Sequence, residues 1–266
     1  MSEYIALKYY FDKELALRLA DLIEPHYPAF SKYNFVDAVR AEVAEKELKA
    51  RVEVITDTLK QYLPADYEEA LAILLNILGP ENETEEGMFT NGYFLMPVAF
   101  FVEKYGLDYF DLSFQGMYEI TKRHTSEYAI RAYLMADVDR CMKYFQNWIG
   151  DSNPHIRRLV SEGTRPRLPW AKKMPPIKND VRNNLYLLEK LMCDTSRYVQ
   201  KSVANHINDL TKENPEAVLQ WMEQYVLKKE NINPEMIKIG FRTLIKSKNE
   251  HAVELLYQVE QKGEAT

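Results

Sequence analysis

Apolar residues recur every three or four positions along most of this 266-residue chain, the spacing that places side chains on one face of an α-helix. The alternation of apolar and polar residues that is typical of strands is absent, and nine glycines occur in the whole chain. The pattern therefore predicts an all-α protein. We expect helices at 12–23, 34–62 (two helices), 67–78, 94–104, 113–123, 126–134, 138–148, 153–162, 181–192, 196–210, 215–227, 234–245 and 250–260.

The second half of the chain contains an internal sequence repeat, called the echo below. The segment DSNPHIRRLVSEGTRPRLPW, which begins at Asp151, is matched 43 residues later by DTSRYVQKSVANHINDL, which begins at Asp194. This offset lies within the about 40–47 residues of two-helix HEAT or armadillo repeats. We therefore expect an α-solenoid of HEAT-like repeats, forming a single domain over residues 1–266 with one concave surface for a partner.

A proline-rich loop interrupts the repeat. Residues 164–179 contain four prolines, which regular helix does not accommodate. The same loop, TRPRLPWAKKMPP, carries four positive charges and the indole of Trp170. Packing against the protein is the usual fate of a tryptophan, and contact with a ligand is the alternative for Trp170.

The charge of the chain is unevenly distributed. The formal net charge of −6 argues against a nucleic-acid partner, but residues 122–212 contain 17 basic and 9 acidic residues, a net charge of +8. A local basic patch, rather than the average charge, attracts phosphates. Chance segregation of charge between solvated helices explains the same numbers, so charge alone does not decide between the two interpretations.

The remaining composition favours a cytoplasmic protein without a cofactor. Cys141 and Cys193 lie far apart, which suits a reducing compartment. The N-terminus lacks the apolar run of a signal peptide, and the longest apolar run, 93–102, spans about half a membrane and contains Pro97. The five histidines include no pair at metal-ligand spacing, so no metal is expected.

Polar residues line the two echoing helices. Lys201, Asn205 and Asp209 are spaced four residues apart on one face, and Arg158 and Glu162 form the corresponding face of the first helix. Stacking the helices would place cations, an amide and two carboxylates side by side. For Arg158, an ordinary surface ion pair worth about 0.2–0.5 kcal/mol is the simpler interpretation.

Glu162 favours a catalytic interpretation, because it is followed directly by the cationic loop that carries Trp170. Breaking an N-glycosidic bond in DNA builds positive charge on the deoxyribose, and a fixed carboxylate stabilises that charge or positions a water. An indole beside the carboxylate would add stacking and cation–π attraction to a cationic base.

The segments SEGTRPRLPW (161–170) and RYVQKSVANHINDLTKENPE (197–216) closely resemble the bacterial DNA alkylation repair glycosylases of the AlkC type, which are relatives of the AlkD glycosylases and are built from HEAT-like repeats. Further similar segments occur in the same order, up to about residue 227. They are ELKARV (47–52), LPADYEEALAIL (63–74), YGLDYFDLS (105–113) and SEYAIRAYL (126–134).

The resemblance implies a metal-free glycosylase of base excision repair whose concave face is basic and binds double-stranded DNA. Its expected substrates are cationic alkylated bases, namely 3-methyladenine and also 3-methylcytosine and 1-methyladenine, which are not extruded into a deep pocket. The motifs assign lesion-side roles to Glu127, Glu162, Trp170 and Asp209, with Glu162 as the first choice for the main catalytic group. The expected DNA contacts are Arg158, Arg165, Arg167, Lys172, Lys173, Lys201 and Asn205.

Two positions depart from the family pattern, and two other functions stay open. Ala132 replaces a frequent proline and Tyr93 a tryptophan, but neither change removes a carboxylate. The C-terminal immunoglobulin-like domain of some relatives is not expected, nor is an oligomer. A non-catalytic HEAT-like protein that binds DNA structures and, less favoured, a protein-binding scaffold are the alternatives to the glycosylase.

Overall fold

The computed structural model of the chain describes residues 5–229 and 232–264. Every regular element in these ranges is helical, which confirms the predicted all-α class. The α-helices are α1 (Lys13–Ile23), α2 (Lys32–Val43), α3 (Leu48–Tyr62), α4 (Tyr67–Asn76), α5 (Met96–Tyr105), α6 (Phe110–Thr121), α7 (Ala129–Ala136), α8 (Val138–Trp148), α9 (Pro154–Gly163), α10 (Val181–Leu191), α11 (Arg197–Glu213), α12 (Pro215–Lys228), α13 (Pro234–Gly240), α14 (Arg242–Lys246) and α15 (Glu250–Glu264). Short 3₁₀ helices lie at Leu7–Tyr10, Tyr93–Leu95, Leu107–Tyr109 and Pro176–Asn179.

The chain divides into two compact units, residues 1–132 and residues 133–266. In the first unit, α2 packs on α1 and α3, and α5 packs on α3 and α6. Phenylalanines that are fully buried fill the space between these helices, among them Phe35, Phe101 and Phe114. The predicted single domain over residues 1–266 stays a prediction.

The second unit contains the helices of the sequence echo. Helix α11 packs on α9 on one side and on α13 on the other. Asn153, Ser196 and Asn233 cap the three helices, each by accepting a hydrogen bond from a backbone N–H of the first turn. The first two caps are 43 residues apart, so the echo in the sequence corresponds to equivalent helix starts in the structure.

An ion pair joins the first turn of α9 to the turn that precedes α11. The guanidinium of Arg157 donates to both carboxylate oxygens of Asp194, at 2.6 and 2.8 Å. A third nitrogen donor of Arg157 reaches the backbone oxygen of Asp151 at 2.8 Å. Because the same Asp194 accepts the backbone N–H of Ser196, this contact fixes one repeat against the next.

Helix α13 approaches α11 closely. A Cβ atom on Gly240 would lie 3.0 Å from Cγ2 of Ile207 and 3.6 Å from the backbone oxygen of Ala204. The helix ends there, and the next residue, Phe241, is fully buried with φ −98° and ψ 7°. The prediction of one helix over 234–245 was therefore wrong, because packing interrupts the helix at a glycine.

Most of the other predicted helices agree with the structure to within three residues at each end, and the loop after α9 is irregular as expected. Among the residues that the structure describes, no helix combines the length and the apolar character needed to cross a membrane.

Candidate functional site

Glu162 lies in the last turn of α9, and the residue is 6% exposed. Its Oε1 accepts a hydrogen bond from Nη1 of Arg165 at 2.6 Å, and its Oε2 accepts one from the hydroxyl of Ser202 on α11 at 2.5 Å. Both carboxylate oxygens are thus held by charged or polar donors, which fixes the side chain in one orientation.

Arg165 joins this carboxylate to a second one. Its Nε donates to Oδ2 of Asp209 at 2.9 Å, so one guanidinium contacts carboxylates from two helices. Burial disfavours the charge of Arg165, but the attraction of Glu162 and the hydrogen bond to Asp209 outweigh it and raise the pKa of the guanidinium above its ordinary value.

Asp209 is 2% exposed and lies on the buried side of α11. The formal charges of Glu162, Asp209 and Arg165 sum to −1. Two further cations border the trio: Nη2 of Arg158 is 3.7 Å from Oε1 of Glu162, and Nζ of Lys212 is 3.6 Å from Oδ1 of Asp209. Of the predicted polar ridge, the structure brings Arg158, Glu162 and Asp209 into one cluster, and its other cations are Lys212 and the loop residue Arg165 rather than the predicted Lys201.

Ser202 is a site residue that the sequence reasoning missed. Its oxygen also lies 3.0 Å from the hydroxyl of Ser161. A hydroxyl has one proton and an ionised carboxylate has none to donate, so Ser202 donates to Glu162. The signal that could have identified Ser202 is its spacing of seven residues from Asp209, which places both on the same helix face.

The loop after α9 is anchored from inside. Leu168, Met174 and Ile177 are buried, and the backbone N–H of Met174 donates to the oxygen of Pro166 at 3.0 Å. Trp170 lies at the tip of this closed segment.

Asn184 on α10, fully buried, fastens both ends of the loop. Its Oδ1 accepts from the backbone N–H of Ile177 at 2.7 Å, and its Nδ2 donates to the oxygen of Thr164 at 3.0 Å. The same amide nitrogen lies 2.9 Å from Nε2 of the buried His206 on α11. This role was not predicted, because a single asparagine in a helix is most often exposed.

Trp170 is 71% exposed, and its backbone φ is 60°, in the left-handed region. A bulky residue in that region costs about 1–3 kcal/mol, and such strain is most common at functional sites. The exposed indole agrees with contact to a ligand better than with ordinary core packing.

The predicted DNA contacts differ in their surroundings. Arg158 lies over the ring of Tyr198, 4.7 Å from its centroid. Nε of Arg167 donates to Oε1 of Glu213 at 2.6 Å, with both side chains about one-third exposed. Asn205 is half-buried, and the side chains that are exposed are Lys172, Lys173 and Lys201.

Glu127 belongs to the first unit, where it is 5% exposed. Its Oε2 accepts from the hydroxyl of Thr125 at 3.0 Å. Tyr93, the departure from the family pattern, packs edge-on against Phe11 in the same unit, with ring centroids 5.9 Å apart. The lesion-side role of Glu127 stays a prediction.

Comparison with known proteins shows which family the chain resembles. Residues 123–243 match the family model described as "DNA alkylation repair enzyme". The chain is 36% identical over 253 residues to "Uncharacterized protein YhaZ" of Bacillus subtilis (strain 168), covering 94% of this chain and 67% of that protein.

A solved structure is also similar, that of the Pseudomonas fluorescens alkylpurine DNA glycosylase AlkC bound to DNA containing an abasic site analog. The TM-score is 0.82 at 32% sequence identity, and the match covers 95% of this chain and 68% of that chain.

The helical-repeat fold and these matches define a DNA alkylation repair enzyme. The chain belongs to the AlkC family of DNA glycosylases. The resemblance and the repeat fold predicted from the sequence are thereby confirmed.

Proposed function

We propose that this protein hydrolyses the N-glycosidic bond of cationic alkylated bases in double-stranded DNA, 3-methyladenine foremost and also 3-methylcytosine and 1-methyladenine. It would act as a monomer in the cytoplasm of a bacterium and begin base excision repair. The observation that carries the proposal is the buried trio of Glu162, Arg165 and Asp209 beside an exposed tryptophan.

The chemistry suits a fixed carboxylate. When the bond between C1′ and the base nitrogen breaks, its electron pair leaves with the base, so a cationic base departs neutral without a general acid. The positive charge moves to the deoxyribose, and a water then adds to C1′ and loses a proton, giving an abasic site. Glu162 is the proposed group that stabilises the sugar cation or orients the water.

The two carboxylates of the trio support this role. The trio has a formal charge of −1, but the bordering Arg158 and Lys212 bring the local formal sum to +1, so the proposed attraction comes from the carboxylate oxygens next to the sugar and not from the net charge of the cluster. Their low exposure strengthens that short-range attraction. Asp209 is proposed as the second carboxylate at the lesion, and Glu127 of the first unit as a further one.

DNA binding would use the exposed cations. Lys172, Lys173 and Lys201 are exposed to solvent, and each contact of such a cation with a phosphate contributes a salt-dependent increment of affinity. We assign Arg158, Arg167 and Asn205 to the same surface. Because Trp170 is exposed at the loop tip, it can stack on the lesion or its sugar without a deep pocket for the base.

The test compares Glu162→Gln with a matched control. Glu162→Gln keeps the shape of the side chain but removes its charge, so we expect release of methylated bases from alkylated duplex DNA to fall by about 100-fold or more while DNA affinity is retained. Asp194→Asn serves as the control, because Asp194 is also a buried carboxylate paired with a guanidinium, but outside the trio.

Free bases are measured by chromatography and mass spectrometry, and affinity on duplexes with an abasic-site analogue. If the Glu162→Gln variant releases bases at the wild-type rate, Glu162 is not a catalytic residue. If the wild-type protein binds DNA but releases no base, the alternative of a non-catalytic DNA-binding protein is favoured.

A further inference from the structure

The surroundings of Arg165 differ from those of a side chain that contacts DNA. The residue is 7% exposed, and two of its nitrogens are within 2.9 Å of carboxylate oxygens. We infer that Arg165 is a positioning residue, which holds Glu162 and Asp209 in their reactive arrangement and does not bind a phosphate. This inference rests on the proposed glycosylase function.

The two ion pairs of Arg165 differ in their separation along the chain. Glu162 is three residues before Arg165, whereas Asp209 is 44 residues after it. To reach a phosphate, the guanidinium would have to leave both carboxylates, and two buried negative charges would lose their strongest donor. The lysines of the same loop, Lys172 and Lys173, are exposed to solvent, where phosphates would reach them.

Ser202 completes the support of Glu162 from α11. The hydroxyl holds Oε2, and Asp209 on the same helix holds the guanidinium that contacts Oε1. One face of α11 therefore controls both oxygens of a carboxylate that α9 carries. A rotation of Glu162 would break contacts to two residues at once.

The consequence is a preorganised negative site. A carboxylate that is already oriented needs no rearrangement when the sugar cation forms, and this preorganisation is a main source of electrostatic catalysis. Arginine suits the position because its planar guanidinium directs separate N–H donors to two acceptors, whereas the ammonium of lysine is a compact point charge.

Arg157 on α9 provides a matched comparison. It also pairs with a buried carboxylate, but that carboxylate is Asp194, in the turn between repeats and outside the trio. Replacing Arg157 tests the general effect of losing a partly buried ion pair, without disturbing the trio.

The experiment separates the rate of chemistry from the affinity for DNA. For the wild type, Arg165→Gln, Arg165→Lys and Arg157→Gln, single-turnover release of 3-methyladenine is measured at saturating enzyme. The dissociation constant for abasic-site-analogue DNA is measured at several salt concentrations. Circular dichroism and thermal melting report the folded fraction of each variant.

We expect Arg165→Gln to lower the single-turnover rate by about 100-fold, as a misplaced catalytic group does, with an unchanged salt dependence of binding. Arg165→Lys should retain affinity but not recover the rate, because it cannot hold both carboxylates. Arg157→Gln should melt at lower temperature yet keep the wild-type rate per folded molecule, which distinguishes positioning from a general structural effect.

If Arg165 instead binds a phosphate of the DNA, the opposite result is expected for rate and salt dependence. If Arg165→Gln keeps its rate, and the slope of log affinity against log salt falls by about 0.9, the inference is overturned while the proposed function stands. A wild type that releases no base overturns the function and the inference together. Should Arg165→Gln fail to fold, Arg165→Lys decides: a wild-type rate would contradict the inference, and a lost rate at retained affinity would support it.

Discussion

His124 shows how burial sets the charge of a single residue in the first unit. The side chain is 2% exposed, and its Nδ1 donates to the backbone oxygen of Met88 at 3.1 Å. Desolvation lowers its pKa to about 4, although the bond to Met88 acts in the opposite direction. The imidazole is therefore neutral in the folded protein at neutral pH.

This depressed pKa makes stability depend on pH. The unfolded chain takes up a proton at His124 near its ordinary pKa of about 6.5, whereas the folded chain does so near pH 4. Stability is thus complete above pH 6.5 and falls between about 6.5 and 4, by about 3 kcal/mol in total from this residue.

The prediction is tested by urea unfolding between pH 7.5 and 4.5, with pH values chosen about the ordinary histidine pKa. His124→Asn should have lower stability at neutral pH but a flatter dependence in this window. His26→Gln, a change at an exposed histidine, is the control and should keep the wild-type dependence. An unchanged slope in His124→Asn would show that other groups cause the acid sensitivity.

Among the individual residues of the site, some could be predicted from the sequence. Glu162 and Asp209 could be selected because each lies on a polar helix face and in a family motif. The contacts of Ser202 and Arg165 could not, because they join positions 40 and 44 residues apart and depend on how α9 packs against α11. Local periodicity carries no information on which donor faces which acceptor.

At the scale of elements, the loop after α9 is irregular yet well anchored. Its prolines prevent a helix, and its apolar side chains are buried beneath it. The amide of Asn184 then closes the loop by bonding near both of its ends. The cations and Trp170 consequently lie on a loop whose two ends are held in place.

Asn184→Leu should loosen this loop. The change removes the hydrogen bonds to Thr164 and Ile177, and losing a buried bond costs about 1–3 kcal/mol for each group left without a partner. We expect faster tryptic cleavage at Lys172 and Lys173, and a lower rate of base release, with the helices retained.

Limited proteolysis followed by mass spectrometry locates the cuts. Asn183→Leu, at a half-buried neighbour on the same helix, is the control and should be cleaved like the wild type. Equal cleavage of both variants would mean that the buried apolar residues alone hold the loop.

The helices themselves were largely predictable because their apolar spacing and their caps are local features. The 43-residue echo likewise corresponds to Asn153 and Ser196 as equivalent caps. The break at Phe241 was not predictable, since it depends on the contact of Gly240 with α11. The short 3₁₀ helices were missed because three or four residues carry too little periodicity.

At the scale of the whole molecule, charge distribution and family membership point in one direction. The chain is acidic overall, yet residues 122–212, which contain the trio and the loop, carry a net charge of +8. The family match, residues 123–243, contains all of this region except Lys122. The average charge argues against a DNA partner, whereas the local charge and the family favour one.

The proposed glycosylase activity is tested most directly by single-turnover excision from a duplex that contains one 3-methyladenine, with wild-type protein in excess. We expect first-order release of the free base and an equal amount of alkali-labile abasic sites, without added metal. If the protein binds this duplex but neither free base nor abasic sites appear, the glycosylase assignment for this chain is contradicted.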